Sequence, residues 1–417
     1  MRQAFATPGF RRLFIGLSAS AFGDSLMLIV LSMWVKALTH SNGRAGLTFF
    51  WLVVPALFAP VFGMFVDRVR RRPLLIWCNV GSAAIVLPLL FVRDAGDVWI
   101  IYLVALLYGV SFIVIPAGLN GLLKELLPEN LLVEANASLS TTKEGFRLIG
   151  PLAGAGLFAA VGGGAVAIVD AASFLVAAAA VANLKLSEAK PERKDQHWRA
   201  EMSAGACHIV REPILKHVLV ALALTIFVIG FMESAVYAIL DAFNKPVEFV
   251  GVVVTVQGVG AIAGGLTSSR LIRRLTEAGG IAVGLGVMAA SMAVVAGVPV
   301  LWVVLLATVL LGYSLPLLII AANTLIQVRT PNALMGRVST ATDVLLGIPQ
   351  AVSIALGALL VTLVNYQWVY ALMAVATSAS VVYLIIALKG RLFTPEREIL
   401  PAVSDPGAAD QASLEGR

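Results

Sequence analysis

The chain has 417 residues, of which 59% are apolar and only 13% are charged. A soluble domain is about 45–50% apolar and about 25% charged, and it needs polar residues to cover its surface. This composition, with a mean hydropathy of +0.92, excludes a soluble globular, disordered or collagen-like protein and indicates an integral membrane protein. The net charge of +6 does not indicate nucleic-acid binding here, because its distribution along the chain follows the membrane topology.

The apolar residues are grouped into stretches that match the thickness of a membrane. A bilayer core of about 30 Å requires about 20 apolar residues per spanning helix. The stretches are apolar on all sides and do not alternate, which favours helices over barrel strands. The predicted fold is an all-α membrane protein with twelve transmembrane helices. The predicted spans are 13–36, 46–66, 74–92, 98–123, 139–160, 164–184, 217–241, 249–269, 279–297, 301–326, 338–364 and 367–388.

A long polar interruption divides these spans six and six. The later part of this interruption, from about Arg199 to Val210, has the composition of an amphipathic helix lying on a membrane surface. The end of the chain is polar and is expected to be disordered from about Pro401. The expected segments are an N-terminal six-helix bundle over 1–184, a cytoplasmic central loop over 185–216, a C-terminal six-helix bundle over 217–390 and a cytoplasmic tail over 391–417.

The basic residues predict the orientation of the chain. Lys and Arg favour cytoplasmic loops. With the N-terminus inside, 26 of the 30 Lys and Arg residues lie on the cytoplasmic side. Both termini and the central loop are therefore predicted to be cytoplasmic.

The two halves repeat each other. The segment GMFVDRVRRR at 63–72 follows the second span, and GLTSSRLIRR at 265–274 follows the eighth. Asn120 and Asn323 occupy matching positions in the fourth and tenth spans. Parallel repeats of six helices are the architecture of one large class of transporters. The basic and glycine positions that match are Gly63, Arg68, Arg71 and Arg72 in the first half and Gly265, Arg270, Arg273 and Arg274 in the second.

These motifs resemble the major facilitator superfamily. The loop signature between its second and third spans is similar to Gly63, Asp67, Arg68, Arg71 and Arg72, although Arg70 replaces the inner glycine. The antiporter signature of its fifth span resembles Gly150, Pro151 and Gly154. The fourth-span arginine of many drug–proton antiporters has no counterpart between residues 102 and 123, which weakens a proton route borrowed from those proteins.

Finer matches resemble a bacterial exporter group that contains macrolide, tetracycline–aminoglycoside and siderophore efflux proteins. The matching segments are AFGDSLMLIVLSMWV in span 1, LLVEANASLS after span 4, VDAASFLVAAAAV in span 6 and MGRVST before span 11. The LFAP stretch at 57–60 resembles the lysophospholipid transporter of the same group. The resemblance implies a multi-pass protein of the bacterial inner membrane, and it does not identify the substrate.

Four acids lie well inside predicted spans, namely Asp24, Asp170, Glu233 and Asp343. A charge at the bilayer centre costs about 2.5–3.5 kcal/mol on insertion scales, so these side chains should face the bundle interior or a cavity. The resemblance implies that spans 1, 4, 7 and 10 line the cavity, which would place Asp24 and Glu233 in it. No Lys or Arg within the membrane is an evident partner for either acid.

Burial favours the protonated form of a carboxyl group, so the protonation of these acids could follow their exposure to either side of the membrane. Asp24, Glu233 and Asp343 are therefore candidates for proton coupling, whereas Asp170 in span 6 is expected to be structural. The alternative for each is a protonated acid that is hydrogen-bonded to a neighbouring helix. Asn120 and Asn323 either line the cavity or satisfy neighbouring backbone groups.

The loop signature predicts a cytoplasmic gate. The resemblance implies that Asp67 accepts hydrogen bonds from the start of span 11, near 336–339, and so closes the cytoplasmic face. The arginines of the signature could reach Glu125, Glu129 or lipid phosphates, or simply anchor the loop. The gate candidates are Gly63, Asp67, Arg68, Arg71, Arg72, Arg270, Arg273 and Arg274, and the candidates for a helix bend or close packing are Gly150, Pro151, Gly154 and Pro349.

The sequence thus predicts a secondary exporter of amphipathic, drug-like compounds that works by alternating access with proton antiport. Its expected partners are the substrate, protons and membrane lipids, with no nucleic acid, and we expect a monomer. The chain has no P-loop and no histidine spacing typical of metal ligands, so we expect no enzymatic activity, cofactor or metal. The alternatives are a lysophospholipid flippase, a siderophore exporter and, in another class, a non-transporting membrane sensor or scaffold.

Overall fold

The computed structural model describes residues 2–184, 198–331 and 334–388, together with Leu392. All regular structure in these residues is helical. Short 3₁₀ segments at Val54–Phe58, Leu87–Phe91 and Ala95–Asp97 connect or extend the α-helices. The α-helices are α1 Arg2–Ala6, α2 Pro8–Thr39, α3 Asn42–Val53, α4 Ala59–Asp67, α5 Arg71–Val86, α6 Val98–Leu126, α7 Glu129–Val161, α8 Gly163–Ala182, α9 Trp198–Arg211, α10 Pro213–Ile229, α11 Met232–Ala242, α12 Phe249–Leu275, α13 Glu277–Gly297, α14 Leu301–Arg329, α15 Met335–Leu363 and α16 Tyr366–Leu388.

The helices confirm the predicted all-α membrane fold. In the described part of the chain, 11 helical segments are long and apolar enough to cross a membrane, and a bent pair raises the number to 12. We call the face where α2 begins and α14 ends the terminal face, and the opposite face the distal face. The positive-inside pattern predicts that the terminal face is cytoplasmic.

The predicted seventh span is broken into α10 and α11. The chain bends by 107° between Ser203–Arg211 and Pro213–Ile229, so α9 does not continue the crossing. Glu212, before α10, pairs with Arg329 at the terminal face, and Asp241 in α11 pairs with Lys36 near the distal end of α2. Helices α10 and α11 therefore cross the bundle together.

The duplicated architecture is visible in equivalent helices. Helices α6 and α14 both have 29 residues and lie at matching places in the two halves. A Cβ atom at Gly109 of α6 would lie 2.2 Å from the carbonyl oxygen of Leu52, and one at Gly312 of α14 would lie 1.9 Å from that of Gln257. The same kind of close approach between two helices, which only glycine permits, thus occurs in both halves.

The two halves contact each other towards the distal face. One hydrophobic cluster joins Trp34 and Tyr108 of the first half to Tyr237, Leu240 and Val250 of the second. A second cluster lies wholly in the C-terminal half, and a third lies near the terminal face of the N-terminal half. Apolar contact between the halves is therefore concentrated on the distal side.

Towards the terminal face the corresponding helices leave open space. A Cβ atom at Gly63 of α4, Gly265 of α12 or Gly347 of α15 would meet no atom within 4 Å. Helix α4 packs against α6 and the 3₁₀ segment before it, both in its own half. These three glycines therefore have free space beside them among the described residues.

Helix α9 agrees closely with the predicted amphipathic segment, but it packs against protein. A Cβ atom at Gly205 would lie 2.2 Å from the carbonyl oxygen of Arg337, at the start of α15. His208 Nε2 donates a hydrogen bond of 3.0 Å to the carbonyl oxygen of Arg329. The preceding loop residues 185–197 and, apart from Leu392, the predicted tail 391–417 lie outside the described residues.

Candidate functional site

Asp24 belongs to a buried cluster that spans three helices of the N-terminal half. Tyr108 Oη of α6 lies 2.5 Å from Asp24 Oδ1 of α2 and 3.1 Å from Asp170 Oδ2 of α8. Tyr108 is only 1% exposed and Asp170 is fully buried, whereas Asp24 is half-buried. The structure thus brings together two acids that the sequence analysis treated separately. Tyr108 is not evident as a site residue from the sequence, because it is one of several aromatic residues within apolar spans. Its contacts with both acids arise only when the helices pack together.

Two basic residues of α7 are electrostatic neighbours of Asp24 and Glu233, although neither forms an ion pair with these acids among the described residues. Lys143 lies near enough to Asp24, and Arg147 near enough to Glu233, to act on them electrostatically. Both basic side chains are exposed, and they lie one turn apart on the same face of α7. Both lie within the predicted fifth span, 139–160, although they belong to the 26 basic residues counted on the cytoplasmic side, and α7 begins ten residues earlier, at Glu129.

Glu233 lies in the first turn of α11, directly after the break in the seventh span, and it lines a mainly apolar pocket. The pocket lies between α11, α12 and α14, in the distal part of the C-terminal half. Met232 and Phe249 contribute to its apolar wall, while Gln257 and Thr308 add neutral polar groups and Lys245 adds a basic one. Ile29 and Phe49 reach it from the N-terminal half. Such an arrangement suits a compound with a large apolar body and one polar or charged group.

Polar contacts between equivalent helices close the distal face. Lys36 Nζ of α2 donates a hydrogen bond of 2.6 Å to Asp241 Oδ2 of α11, and Asn42 Nδ2 donates one of 2.9 Å to the same oxygen. The hydroxyl groups of Ser32 and Tyr237 form a buried hydrogen bond on the same two helices. We call this set of contacts the distal clasp.

The distal clasp follows from the repeat, although the sequence analysis missed it. The residues of its pairs Ser32–Tyr237 and Lys36–Asp241 are both separated by 205 residues. This separation is close to the 202 residues between the repeated segments 63–72 and 265–274. Equivalent residues of the first and seventh spans therefore face each other across the axis that relates the halves. A Cβ atom at Gly46 of α3 would lie 1.6 Å from Ser234 Oγ, so this glycine lets α3 approach α11 closely.

The arginines of the loop signature form contacts within the N-terminal half. Arg71 Nη1 lies 2.8 Å from Glu125 Oε1 at the end of α6, as one alternative of the sequence analysis expected. Arg72 donates hydrogen bonds of 3.3 and 2.5 Å to the carbonyl oxygens of Val181 and Ala182, at the end of α8. A cation at this position satisfies the free carbonyl groups of a helix C-terminus. These contacts tie α5 to α6 and α8.

The other gate candidates make no comparable contact. Arg68, Arg270, Arg273 and Arg274 are exposed and form no ion pair with a described residue. The side chain of Asp67, the last residue of α4, lies outside the described part, so its contact with the start of α15 stays a prediction. In this conformation the start of α15 is covered by α9.

The glycines of the fifth-span signature serve close packing. A Cβ atom at Gly150 would lie 2.4 Å from Ser25 Cβ, and one at Gly154 would lie 2.7 Å from the carbonyl oxygen of Leu26. These contacts press α7 against α2 beside Asp24. Helices α7 and α15 both continue through their internal prolines, Pro151 and Pro349.

The remaining candidates are exposed on their helices. Asn120 and Asn323 each lie six residues before the last residue of α6 and α14, which supports the matched register of the repeat. Asp343 of α15 is also exposed and forms no hydrogen bond or ion pair with the residues that the structure describes. These three side chains stay candidates for the cavity wall.

Comparisons with known proteins agree with this architecture. The Major Facilitator Superfamily model matches residues 13–354. An uncharacterized MFS-type transporter, YfiS of Bacillus subtilis, is 24% identical over 415 residues, which cover 96% of this chain and 97% of that protein. The multidrug efflux pump Tap of Mycobacterium tuberculosis is 27% identical over 356 residues, covering 81% of this chain and 83% of Tap.

Solved structures share the fold at low sequence identity. The nucleoside transporter NupG gives a TM-score of 0.71 at 12% identity and covers 91% of this chain and 99% of its own. An inward-facing bacterial homologue of the iron transporter ferroportin gives 0.68 at 15% identity, covering 91% of this chain and 98% of its own. The family match over most of the chain, together with the duplicated helical architecture, establishes that the chain belongs to the Major Facilitator Superfamily of transporters.

Proposed function

We propose that this transporter exports amphipathic, drug-like compounds across a bacterial inner membrane in exchange for protons. The observation that carries the proposal is the pairing of an apolar pocket that contains Glu233 with the titratable cluster around Asp24. The similarity to the multidrug efflux pump Tap supports the same substrate class. In this proposal, Glu233 would meet the substrate and Asp24 would hold a proton.

The charges of α7 suggest how the two carboxyl groups are coupled to substrate. Lys143 and Arg147 are the basic groups that act electrostatically on Asp24 and Glu233. A proton on Asp24, or a cationic group of a substrate beside Glu233, would compete with these basic side chains. Because Asp24 is connected to Tyr108 and Asp170, a change in its charge acts on the packing of three helices.

The conformation supports entry of substrate from the terminal face. The distal clasp joins the halves at the distal face, and we propose that the space between them opens at the terminal face. The excess of basic residues predicts that the terminal face is cytoplasmic, so the open cavity would accept compounds from the cytoplasm. Release on the other side requires the distal clasp to separate.

The proposal can be tested in proteoliposomes with an imposed pH gradient. We expect uphill transport of several chemically different amphipathic compounds that compete with one another, because large apolar walls discriminate weakly. Asp24→Asn should abolish uphill transport in a folded protein, whereas Asp94→Asn, at an exposed acid of the distal loop, should not. Transport that only lysophospholipids inhibit, and that ignores the pH gradient, would replace the proposal with a lysophospholipid flippase.

The same assay separates the remaining alternatives. Competition only by iron-chelating compounds would indicate a siderophore exporter. A well-folded protein that transports none of these compounds would favour a sensor or scaffold.

A further inference from the structure

A single tyrosine hydroxyl lies between two carboxyl groups in the N-terminal half. Tyr108 Oη is 2.5 Å from Asp24 Oδ1 and 3.1 Å from Asp170 Oδ2. A tyrosine hydroxyl has one proton to donate, although its oxygen can also accept a hydrogen bond. An ionised carboxylate can only accept. Both contacts can therefore be hydrogen bonds only if one of the two carboxyl groups carries a proton and donates it to Tyr108.

The surroundings indicate which carboxyl group is protonated. Asp170 is fully buried, and its Oδ1 atom has no hydrogen-bond partner among the described residues, which would be costly for a charged carboxylate. The nearby Ser173 hydroxyl donates 2.7 Å away to the backbone carbonyl of Asp170. Asp24 is half-buried, has Lys143 nearby, and makes the shorter contact with Tyr108, of a length typical of a hydrogen bond to a charged oxygen.

We propose that Asp170 is a second proton-carrying residue of the transporter, which holds a proton in this conformation and exchanges it with Asp24 through Tyr108. In the transfer, the Asp170 Oδ2–H bond breaks and its proton binds Tyr108 Oη, while the original Tyr108 proton moves to Asp24 Oδ1. Tyr108 ends neutral with one proton, Asp24 becomes neutral, and Asp170 becomes ionised. Among the described residues, the titratable groups that act on Asp170 are Asp24 and Tyr108. Those that act on Asp24 are Tyr108 and Lys143.

This inference deepens the proposed proton coupling and rests on it for its role in transport. It adds a second, fully buried position for the proton, at Asp170. Asp24 is the member of the cluster nearer the basic residues of α7. The sequence predicts only a structural role for Asp170 in the sixth span. In this proposal Asp170 also carries a proton.

Infrared spectroscopy of the full-length protein in lipid nanodiscs tests the proposal without transport. At neutral pH and without substrate, we expect a carbonyl band of a protonated carboxyl group that shifts when only aspartate is labelled with carbon-13. The band should be lost in Asp170→Asn and kept in Asp94→Asn, which removes an exposed aspartate of the distal loop. In Tyr108→Phe the band should persist, but its exchange with deuterium should slow at least tenfold because the route to Asp24 is interrupted.

The opposite results would overturn the proposal. An absence of a labelled aspartic acid band in the wild-type protein, or a full band in Asp170→Asn, would remove the proton from Asp170. Unchanged deuterium exchange in Tyr108→Phe would remove the relay. If Asp170→Asn does not fold, labelled wild-type protein and Tyr108→Phe still decide between these results.

The spectroscopic result is independent of the proposed function. Proton-driven transport by a protein without the Asp170 band would contradict this inference alone. The band in a protein whose transport ignores the pH gradient would contradict the proposed function alone.

Discussion

Asp241→Asn should shift the transporter towards a conformation that is open at the distal face. Asp241 is the acceptor for both Lys36 and Asn42 in the distal clasp, so the substitution removes the charge while keeping an oxygen that can accept. The side chain of Lys36 is 10% exposed and that of Asp241 is 49% exposed. A hydrogen bond between charged groups contributes about 1.5–3 kcal/mol when buried, and an exposed ion pair about 0.2–1 kcal/mol.

The half-buried geometry places the expected loss between these limits. A loss of about 1.4 kcal/mol would change the ratio of the two conformations about tenfold. Distances between spin labels at the distal ends of α2 and α11 would report this ratio. Glu248→Gln is the matched control, because it removes an acid from the distal side of the same half that forms no ion pair with the described residues. Equal label distances in the wild type and Asp241→Asn would refute the view that this ion pair holds the distal face closed.

Three further substitutions test other contacts. Gly46→Ala should open the distal face more than Asp241→Asn does, because the new Cβ atom would lie 1.6 Å from a serine hydroxyl. Gly156→Ala is the control and should leave the label distances unchanged, because its Cβ atom would meet no described atom within 4 Å. Glu233→Gln should raise KM for cationic amphipathic compounds more than for neutral ones, and equal changes in a transport assay would argue against a direct charge contact. Arg71→Ala should lower Tm by up to about 1 °C, because it removes a partly exposed ion pair worth about 0.2–1 kcal/mol. An equal change in Arg270→Ala would contradict this account.

The sequence predicted the features that depend on composition and period. Helical spans follow from apolar length, and the repeat follows from matched polar residues such as Asn120 and Asn323, which do occupy equivalent positions in α6 and α14. The break at residues 230–231 was not predictable, because Gly230 lies in an apolar stretch that otherwise continues without interruption. Hydropathy alone does not show where a helix breaks within such a stretch.

The candidate site was only partly predictable, for a different physical reason. Asp24 and Asp170 are separated by most of the N-terminal half, and their meeting at Tyr108 depends on the rotation of three helices about their own axes. Lys143 lies within the predicted fifth span but was counted on the cytoplasmic side, because basic residues usually mark span ends, although a long helix can carry one into an aqueous cavity. The Lys36–Asp241 pair required knowledge of how the halves face each other.

The exchange of substrate for protons is the central claim, and it can be measured in the reverse direction. A gradient of an amphipathic compound is imposed across proteoliposomes without a pH gradient, and a trapped dye reports the internal pH. The account predicts that substrate movement drives protons in the opposite direction in the wild-type protein and fails to do so in Asp24→Asn. Substrate flux through the wild-type protein without any change in internal pH would contradict it.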